Sequence, residues 1–346
     1  MPNTVLGWDI GGAHLKAVFI DENGKALHAW QLATPLWQGL GKLTTAMDAI
    51  CNELGTAPDM HAVTMTGELA DIFADRKSGV QQISRAVDAK LDSPRFYAGP
   101  KGFVGLDGVL HHSMQIASAN WYASAAYIAQ QVPGGLFIDM GSTTCDLIPL
   151  YNGRVCNRGY SDAERMQHEE LVYTGVVRTP LMALASHIAF DGRQYPLAAE
   201  HFATTADVYR LTAELDESHD LADTADGKGK TMEDSARRLA RMLCHDVAEA
   251  SIEQWIKLAY AFRQCQLDRL MAAANSQYAA HVPYLDGPII GAGAGSFLVE
   301  SLAKRTGREY RAVADFITAK TTDSAHGAAV CFPAYAVAQL ALGNAG

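Results

Sequence analysis

One short pattern, a strand ending in Asp-x-Gly followed by a turn and a second strand, occurs twice in this chain at an interval of 130 residues. The first copy is Gly7-Trp8-Asp9-Ile10-Gly11-Gly12, leading into an apolar run over residues 15–20. The second is Asp139-Met140-Gly141-Ser142-Thr143-Thr144-Cys145-Asp146, leading into residues 145–150. Turn residues Asp21-Glu22-Asn23-Gly24 and Asn152-Gly153 close the two hairpins. Strand followed by hairpin, rather than strand followed by helix, argues against a dinucleotide fold, whose first strand feeds directly into a helix. Two related α/β domains facing each other account for the spacing.

Length and charge agree with that organisation. A chain of 346 residues suggests about two domains. The 28 Lys and Arg against 38 Asp and Glu leave a net charge of −10 without a sustained basic run, which argues against binding nucleic acid. The six cysteines form no CxxC pair and read as free thiols or core filler, as in a reducing compartment. No leader-like segment opens the chain and no apolar run reaches the ~20 residues that cross a bilayer, so we expect a cytoplasmic protein without a membrane partner.

Helical spacing is expected over residues 43–54, 78–91, 116–131, 235–261 and, in the alanine-rich tail, 324–342. Strands are expected at residues 61–66, 95–98, 288–292 and 311–314. The polar, acidic stretch 212–234 reads either as a mobile lid or as a solvated excursion. The domains are expected at residues 1–132 plus 324–346, and at 133–323 with a helical, polar insert around 205–285.

Both hairpins suit phosphate chemistry. Glycines let backbone N–H groups approach an anion, and an aspartate at the strand end can hold Mg²⁺ against it. The candidate phosphate-binding residues are Gly11, Gly12 and Lys16 in the first copy, and Gly141, Ser142, Thr143 and Thr144 in the second; Lys16 reads equally as a surface lysine. Asp9, Asp139 and Asp146 are the candidate metal ligands. A third glycine-rich turn, Gly291, Gly293, Gly295 and Ser296, joins a strand to a helix whose free amides favour a nucleotide or diphosphate. It lacks the Gly-Lys-Ser/Thr ending of a Walker A loop. Arg158, Arg165 and Arg178 cluster with tyrosines and carboxylates and can clamp an anionic substrate or simply line an edge strand; Lys101, on a glycine-flanked loop, has the same two readings.

In order along the chain, the three glycine segments resemble those of the actin, hexokinase and Hsp70-like ATPase superfamily. Within it the chain most resembles the hydantoinase and oxoprolinase-related branch, and there the family of tetrahydromethanopterin-linked one-carbon pathways. The resemblance is carried by residues 7–16, Thr66-Gly67-Glu68-Leu69-Ala70-Asp71, Ser118-Ala119-Asn120-Trp121, residues 171–176 and the helix start at 236–241. It implies two α/β domains of ribonuclease-H-like type with a cleft between them, where the turns near residues 9 and 139 meet on one phosphorylated ligand. It implies a transferase of methanofuran-type cofactor biosynthesis that joins the diphosphate of 5-(aminomethyl)-3-furanmethanol to the phenolic oxygen of γ-glutamyltyramine or a related phenol, releasing pyrophosphate.

Such chemistry requires the charge of the leaving group to be neutralised, by the loop amides, Lys16 and Mg²⁺. A phenol with a pKa near 10 also has to lose its proton, and Glu68 or one of Asp9, Asp139 and Asp146 is the candidate acceptor. Asn120 joins Lys101 and the arginines as a candidate substrate contact. An ATP-dependent small-molecule kinase or hydrolase, and a non-catalytic nucleotide-binding module, are the alternatives; a homodimer is compatible with the sequence and not argued by it.

Overall fold

The computed structural model describes residues 4–281 and 285–343. The chain forms two compact units, one of residues 1–133, 151–155 and 313–346, the other of residues 134–150 and 156–312.

In unit 1 the elements are β1 (Val5–Ile10), β2 (His14–Ile20), β3 (Ala26–Ala33), α1 (Gly41–Leu54), β4 (Met60–Met65), α2 (Arg76–Asp88), β5 (Arg95–Tyr97), β6 (Phe103–Val104), α3 (Leu106–Ile116) and α4 (Asn120–Ala129). The sheet order is β3-β2-β1-β4-β5-β6, with β1 antiparallel to β2 and parallel to β4. This is the ribonuclease-H-like arrangement. Leu6, Trp8 and Ile10 point to one face of β1 and enter a core with Leu43, Met47 and Ile50 of α1 and Val80, Ile83 and Val87 of α2. Alternation along the strand sends Gly7 and Asp9 to the other face.

In unit 2 the elements are β7 (Gly134–Met140), β8 (Cys145–Tyr151), α5 (Asp162–Gln167), β10 (Leu171–Val172), the hairpin β11 (His187–Phe190) and β12 (Arg193–Pro196), α6 (Thr205–Leu211), α7 (Met232–Met242), α8 (Ile252–Ala280), β13 (Ile289–Ala292), α9 (Ser296–Thr306) and β14 (Tyr310–Ala312). The short β9 (Arg154–Val155) between β8 and α5 belongs to unit 1. The sheet order in unit 2 is β10-β8-β7-β13-β14, again with an adjacent hairpin and parallel neighbours. The chain then returns to unit 1 through α10 (Thr322–Val330) and α11 (Phe332–Gly343). There α11 and α4 pack on the Asp9 face of the sheet, and α10 on β3.

Several expectations need correction. Residues 313–323, expected with the second domain, belong to unit 1, where Ala26 N–H donates to the Thr318 carbonyl at 2.8 Å and Lys320 N–H to Ala26 at 2.9 Å. The tail is not one helix, because α10 and α11 meet at Cys331 with a 99° bend. The helix expected over 116–131, beginning behind Ser113 or Ser118, starts at Asn120 after a break at 117–119, where Ser118 adopts φ 51°. That over 235–261 divides at Cys244, which has φ 57°, and restarts at a Ser251–Gln254 capping box. The stretch 212–234 is tied down by charge pairs: Arg210 binds Asp220 at 2.6 Å, and the fully buried Arg238 binds Asp207 at 2.8 Å and Asp226 at 3.0 Å. The helices around 205–285 supply much of the apolar core of unit 2, including Tyr209, Trp255, Leu258 and Phe262, rather than a polar insert. Among the described residues no single helix is long and apolar enough to cross a membrane.

Candidate active site

In unit 1 the site begins with Asp9 at the end of β1. Lys16 of β2 and Thr64 of β4 are its registered neighbours, so a row of three polar side chains crosses an otherwise apolar part of the sheet. Gly11 N–H closes the β1–β2 turn by donating to the His14 carbonyl at 3.0 Å. Asp9 is 6% exposed, and its Oδ1 has no hydrogen-bond partner; Thr64 Oγ1 is likewise buried and unpartnered. Burial raises the Asp9 pKa to about 6, against the opposing influence of Lys16 and a hydrogen bond from the Asn120 side chain. The orientation of Asn120 is fixed because its Oδ1 accepts from the Trp121 N–H at 2.7 Å. The Lys16 ammonium donates to the Val330 carbonyl at 3.1 Å, at the C-terminal end of α10, where the helix dipole favours a cation.

Glu68 follows β4 in a short helical turn, Gly67–Leu69. It is 1% exposed; its Oε1 accepts from the Ser118 hydroxyl at 2.7 Å, and its Oε2 is buried without a partner. Burial raises its pKa, with Ser118 and Arg76 acting in the opposite direction. Residues 118–120 therefore bridge two buried carboxylates: Ser118 holds Glu68, and Asn120 holds Asp9. Buried polar atoms left unsatisfied cost about 1–3 kcal/mol each and call for an explanation.

In unit 2 the second hairpin repeats the local geometry of the first, with Gly141 N–H donating to the Thr144 carbonyl at 2.9 Å. The Ser142 and Thr143 turn is braced by residues 176–178, whose N–H groups donate to the carbonyls of Gly141 and Ser142. Arg178 is exposed, and its Nε donates to Thr143 Oγ1 at 2.8 Å, so this arginine does join the loop. Gly293, between β13 and α9, has φ 80°, and a Cβ there would stand 2.4 Å from both Asp139 Oδ1 and the Met140 carbonyl. Only glycine lets the third glycine-rich turn lie against Asp139. Gly295 N–H donates to the Met140 carbonyl at 2.8 Å, and Gly291 and Ser296 flank the same turn.

Three of the charged candidates have partners within the fold, and a fourth is exposed. Asp146, expected as a metal ligand or base, is bound at 2.5 Å by Arg165, expected as a substrate contact; Arg165 is 2% exposed. The pair joins α5 to β8. Arg158 folds back on its own loop, donating to the His168 carbonyl at 2.8 Å and facing Glu170 at 3.7 Å. Lys101 lies exposed in the turn Gly99–Lys101, and no hydrogen bond carries it to Asp9 or Glu68. Ser118 and Thr64 were not expected as site residues. Thr64 is a lone hydroxyl in an apolar strand, a signal the sequence does contain; the role of Ser118 depends on a contact across 50 residues.

Among the described residues no group of three or more His, Cys, Asp or Glu is placed to hold a metal ion. Magnesium bound mainly through substrate phosphates needs only one or two carboxylates, and Asp9, with its unpartnered Oδ1 beside the glycine turn, fits that requirement. Asp146 has its Oδ1 held by Arg165.

Fold and site together define an α/β protein with a ribonuclease-H-like sheet and buried carboxylates beside its first glycine hairpin. The chain matches the hydantoinase/oxoprolinase family over residues 59–337 and belongs to it. The matched range contains Glu68, Ser118, Asn120, the second hairpin and the third glycine turn, while the Asp9 hairpin precedes it.

Over 244 residues the chain is 32% identical to the (4-{4-[2-(gamma-L-glutamylamino)ethyl]phenoxymethyl}furan-2-yl)methanamine synthase of Methanocaldococcus jannaschii, covering 70% of this chain and 72% of that protein. It is 31% identical over 148 residues to the synthase of the same name from Methanococcus vannielii, covering 42% of this chain and 66% of that one. Among solved structures, nucleotide-free acetone carboxylase is similar with a TM-score of 0.57 at 10% identity, over 98% of this chain and 70% of that chain; this likeness concerns the fold.

Proposed function

We propose that this protein is a transferase of methanofuran-type cofactor biosynthesis. It condenses 5-(aminomethyl)-3-furanmethanol diphosphate with γ-glutamyltyramine or a closely related phenol. The observation that carries this reading is the 32% identity, over most of both chains, to a synthase whose name describes the ether product. The buried, incompletely bonded carboxylates of unit 1 support it, because the reaction needs a site that neutralises a leaving diphosphate and accepts a proton.

In the proposed reaction the phenolic oxygen forms a bond to the furanylmethyl carbon, and the bond from that carbon to the diphosphate oxygen breaks with its electron pair leaving on pyrophosphate. Electron donation from the furan oxygen weakens that bond early. Backbone amides of a glycine hairpin and the Lys16 ammonium stabilise the departing charge. Mg²⁺, held by Asp9, would add charge neutralisation at the same oxygens. No nucleotide is consumed, and a cytoplasmic setting suits these small polar substrates.

The test is to mix the purified protein with the furan diphosphate, γ-glutamyltyramine and Mg²⁺ in the absence of nucleotide, and to follow pyrophosphate and the mass of the product. Equal amounts of pyrophosphate and ether support the synthase. ATP turnover without ether would instead identify a kinase or hydrolase, and nucleotide binding without turnover a non-catalytic module.

A further inference from the structure

We infer that Glu68 is the general base that takes the proton of the acceptor phenol through Oε2, and that Ser118 is the positioning residue that leaves Oε2 as its free oxygen. This inference rests on the synthase reading and chooses among the carboxylates that reading leaves open.

Three observations favour Glu68 over Asp9 and Asp146. Its two oxygens are unequal: Oε1 is held by Ser118 at 2.7 Å, whereas Oε2 is buried with no partner. Asp146 has its Oδ1 bound by Arg165 and shows no buried oxygen without a partner, and Asp9 lies beside the glycine turn opposite Lys16, where its charge suits a cation or phosphate site. The second observation is the conformation of Ser118, whose φ of 51° is uncommon for a residue with a side chain and requires the surrounding structure to impose it. The break between α3 and α4 places this strained residue next to Glu68 and, two positions on, Asn120 next to Asp9. Thirdly, the chain beyond Glu68 turns apolar side chains to solvent: Leu69 is 49% exposed and Ile72 40%. An aromatic acceptor suits such a flank better than a sugar or a nucleotide phosphate does.

The proton balance closes. The phenol O–H transfers its proton to the Glu68 carboxylate as the oxygen bonds to the furanylmethyl carbon, diphosphate departs with the electron pair of the broken bond, and the neutral Glu68 later returns its proton to water. Burial raises the proton affinity of Glu68 above that of an ordinary carboxylate, which narrows the gap to a phenol.

The test compares wild type with Glu68→Gln on a series of acceptors: γ-glutamyltyramine and analogues fluorinated beside the hydroxyl, whose phenols are more acidic. General-base catalysis contributes roughly 10²–10⁴-fold, so Glu68→Gln should lose at least about 100-fold in kcat on the parent phenol and under about 10-fold on the most acidic one. Ser118→Ala should show a smaller loss with the same dependence on phenol acidity, and Ser118→Thr should restore it. Should Glu68→Gln fail to fold, the Ser118 pair carries the same comparison. An equal loss on every phenol, or no loss, overturns the assignment of Glu68 while ether formation by wild type leaves the synthase reading standing. If wild type forms no ether with any phenol, the synthase reading falls, and this inference with it.

Discussion

Asp146 and Arg165 form an ion pair of 2.5 Å in which the arginine is 2% exposed, so one of the three arginines that the sequence offers for substrate binding is held within the fold. Removing one partner of a buried pair leaves the other uncompensated, at about 3–5 kcal/mol. Because water partly reaches Asp146, Arg165→Met should cost about 3 kcal/mol, read as a lower urea midpoint with unchanged slope. A variant of wild-type stability that fails only to bind substrate would return Arg165 to the site.

Arg178 should behave in the opposite way. It is exposed, and its guanidinium donates to Thr143 at 2.8 Å, on the turn proposed to bind phosphate. Charge-assisted hydrogen bonds contribute about 1.5–3 kcal/mol. Arg178→Ala should therefore raise KM for the furan diphosphate by roughly 10-fold or more while leaving the melting temperature within about 2 °C. Steady-state kinetics alongside thermal melts check both halves.

His61 gives unit 1 a pH dependence. It is buried and accepts from the Trp8 indole N–H at 3.2 Å through Nδ1, and burial lowers its pKa from 6.5 to about 4. Below pH 6.5 the unfolded chain binds a proton that the folded one refuses, so this contribution to stability is complete above pH 6.5 and declines as the pH falls towards 4, by about 3 kcal/mol in all. Asp9, raised from 3.8 to about 6, works in the reverse sense over nearly the same range, since its folded form holds a proton that the unfolded form releases. The comparison is therefore between wild type and His61→Asn, which should lose less stability than wild type between pH 6.5 and 4. Parallel urea curves at every pH would contradict it.

Gly7 tests the packing that places Asn120. A Cβ there would stand 2.1 Å from the Ala334 carbonyl and 2.9 Å from the Ala338 Cβ, so α11 approaches β1 only because this residue has no side chain. Gly7→Ala should destabilise unit 1 by about 2 kcal/mol or more, through displacement of α11. A melting temperature equal to wild type would show that α11 does not need this approach.

The sequence discloses what depends on local pattern. Asp-x-Gly followed by alternating residues specifies each hairpin, and alternation alone sends Asp9 and Trp8 to opposite faces of β1. What it conceals depends on register and distance. Asp146 and Arg165 read as free charges because only the pairing of β8 with β10 and the placement of α5 bring them together. The acids of residues 212–234 read as a mobile lid or a solvated excursion because their partners, Arg210 and Arg238, lie in helices whose faces are not visible until they pack. Ser118 sits where a helix reads as beginning behind either Ser113 or Ser118, and alanine-rich helical spacing does not show the left-handed residue that separates one helix from the next, which starts at Asn120. Glu68 and Asn120 were legible as candidates through family resemblance, whereas the segment that links them to each other is a product of the fold.

In the proposed reaction the protein breaks the bond between carbon and oxygen of the furan diphosphate and transfers no phosphoryl group. Substrate labelled with ¹⁸O at the bridging oxygen tests it most directly, with both products analysed by mass spectrometry after a single turnover with the phenol. The label should be recovered wholly in pyrophosphate, leaving the ether oxygen unlabelled. Label retained on the furanylmethanol fragment, or in the ether, would mean that a phosphorus–oxygen bond breaks instead, as in a kinase or phosphatase.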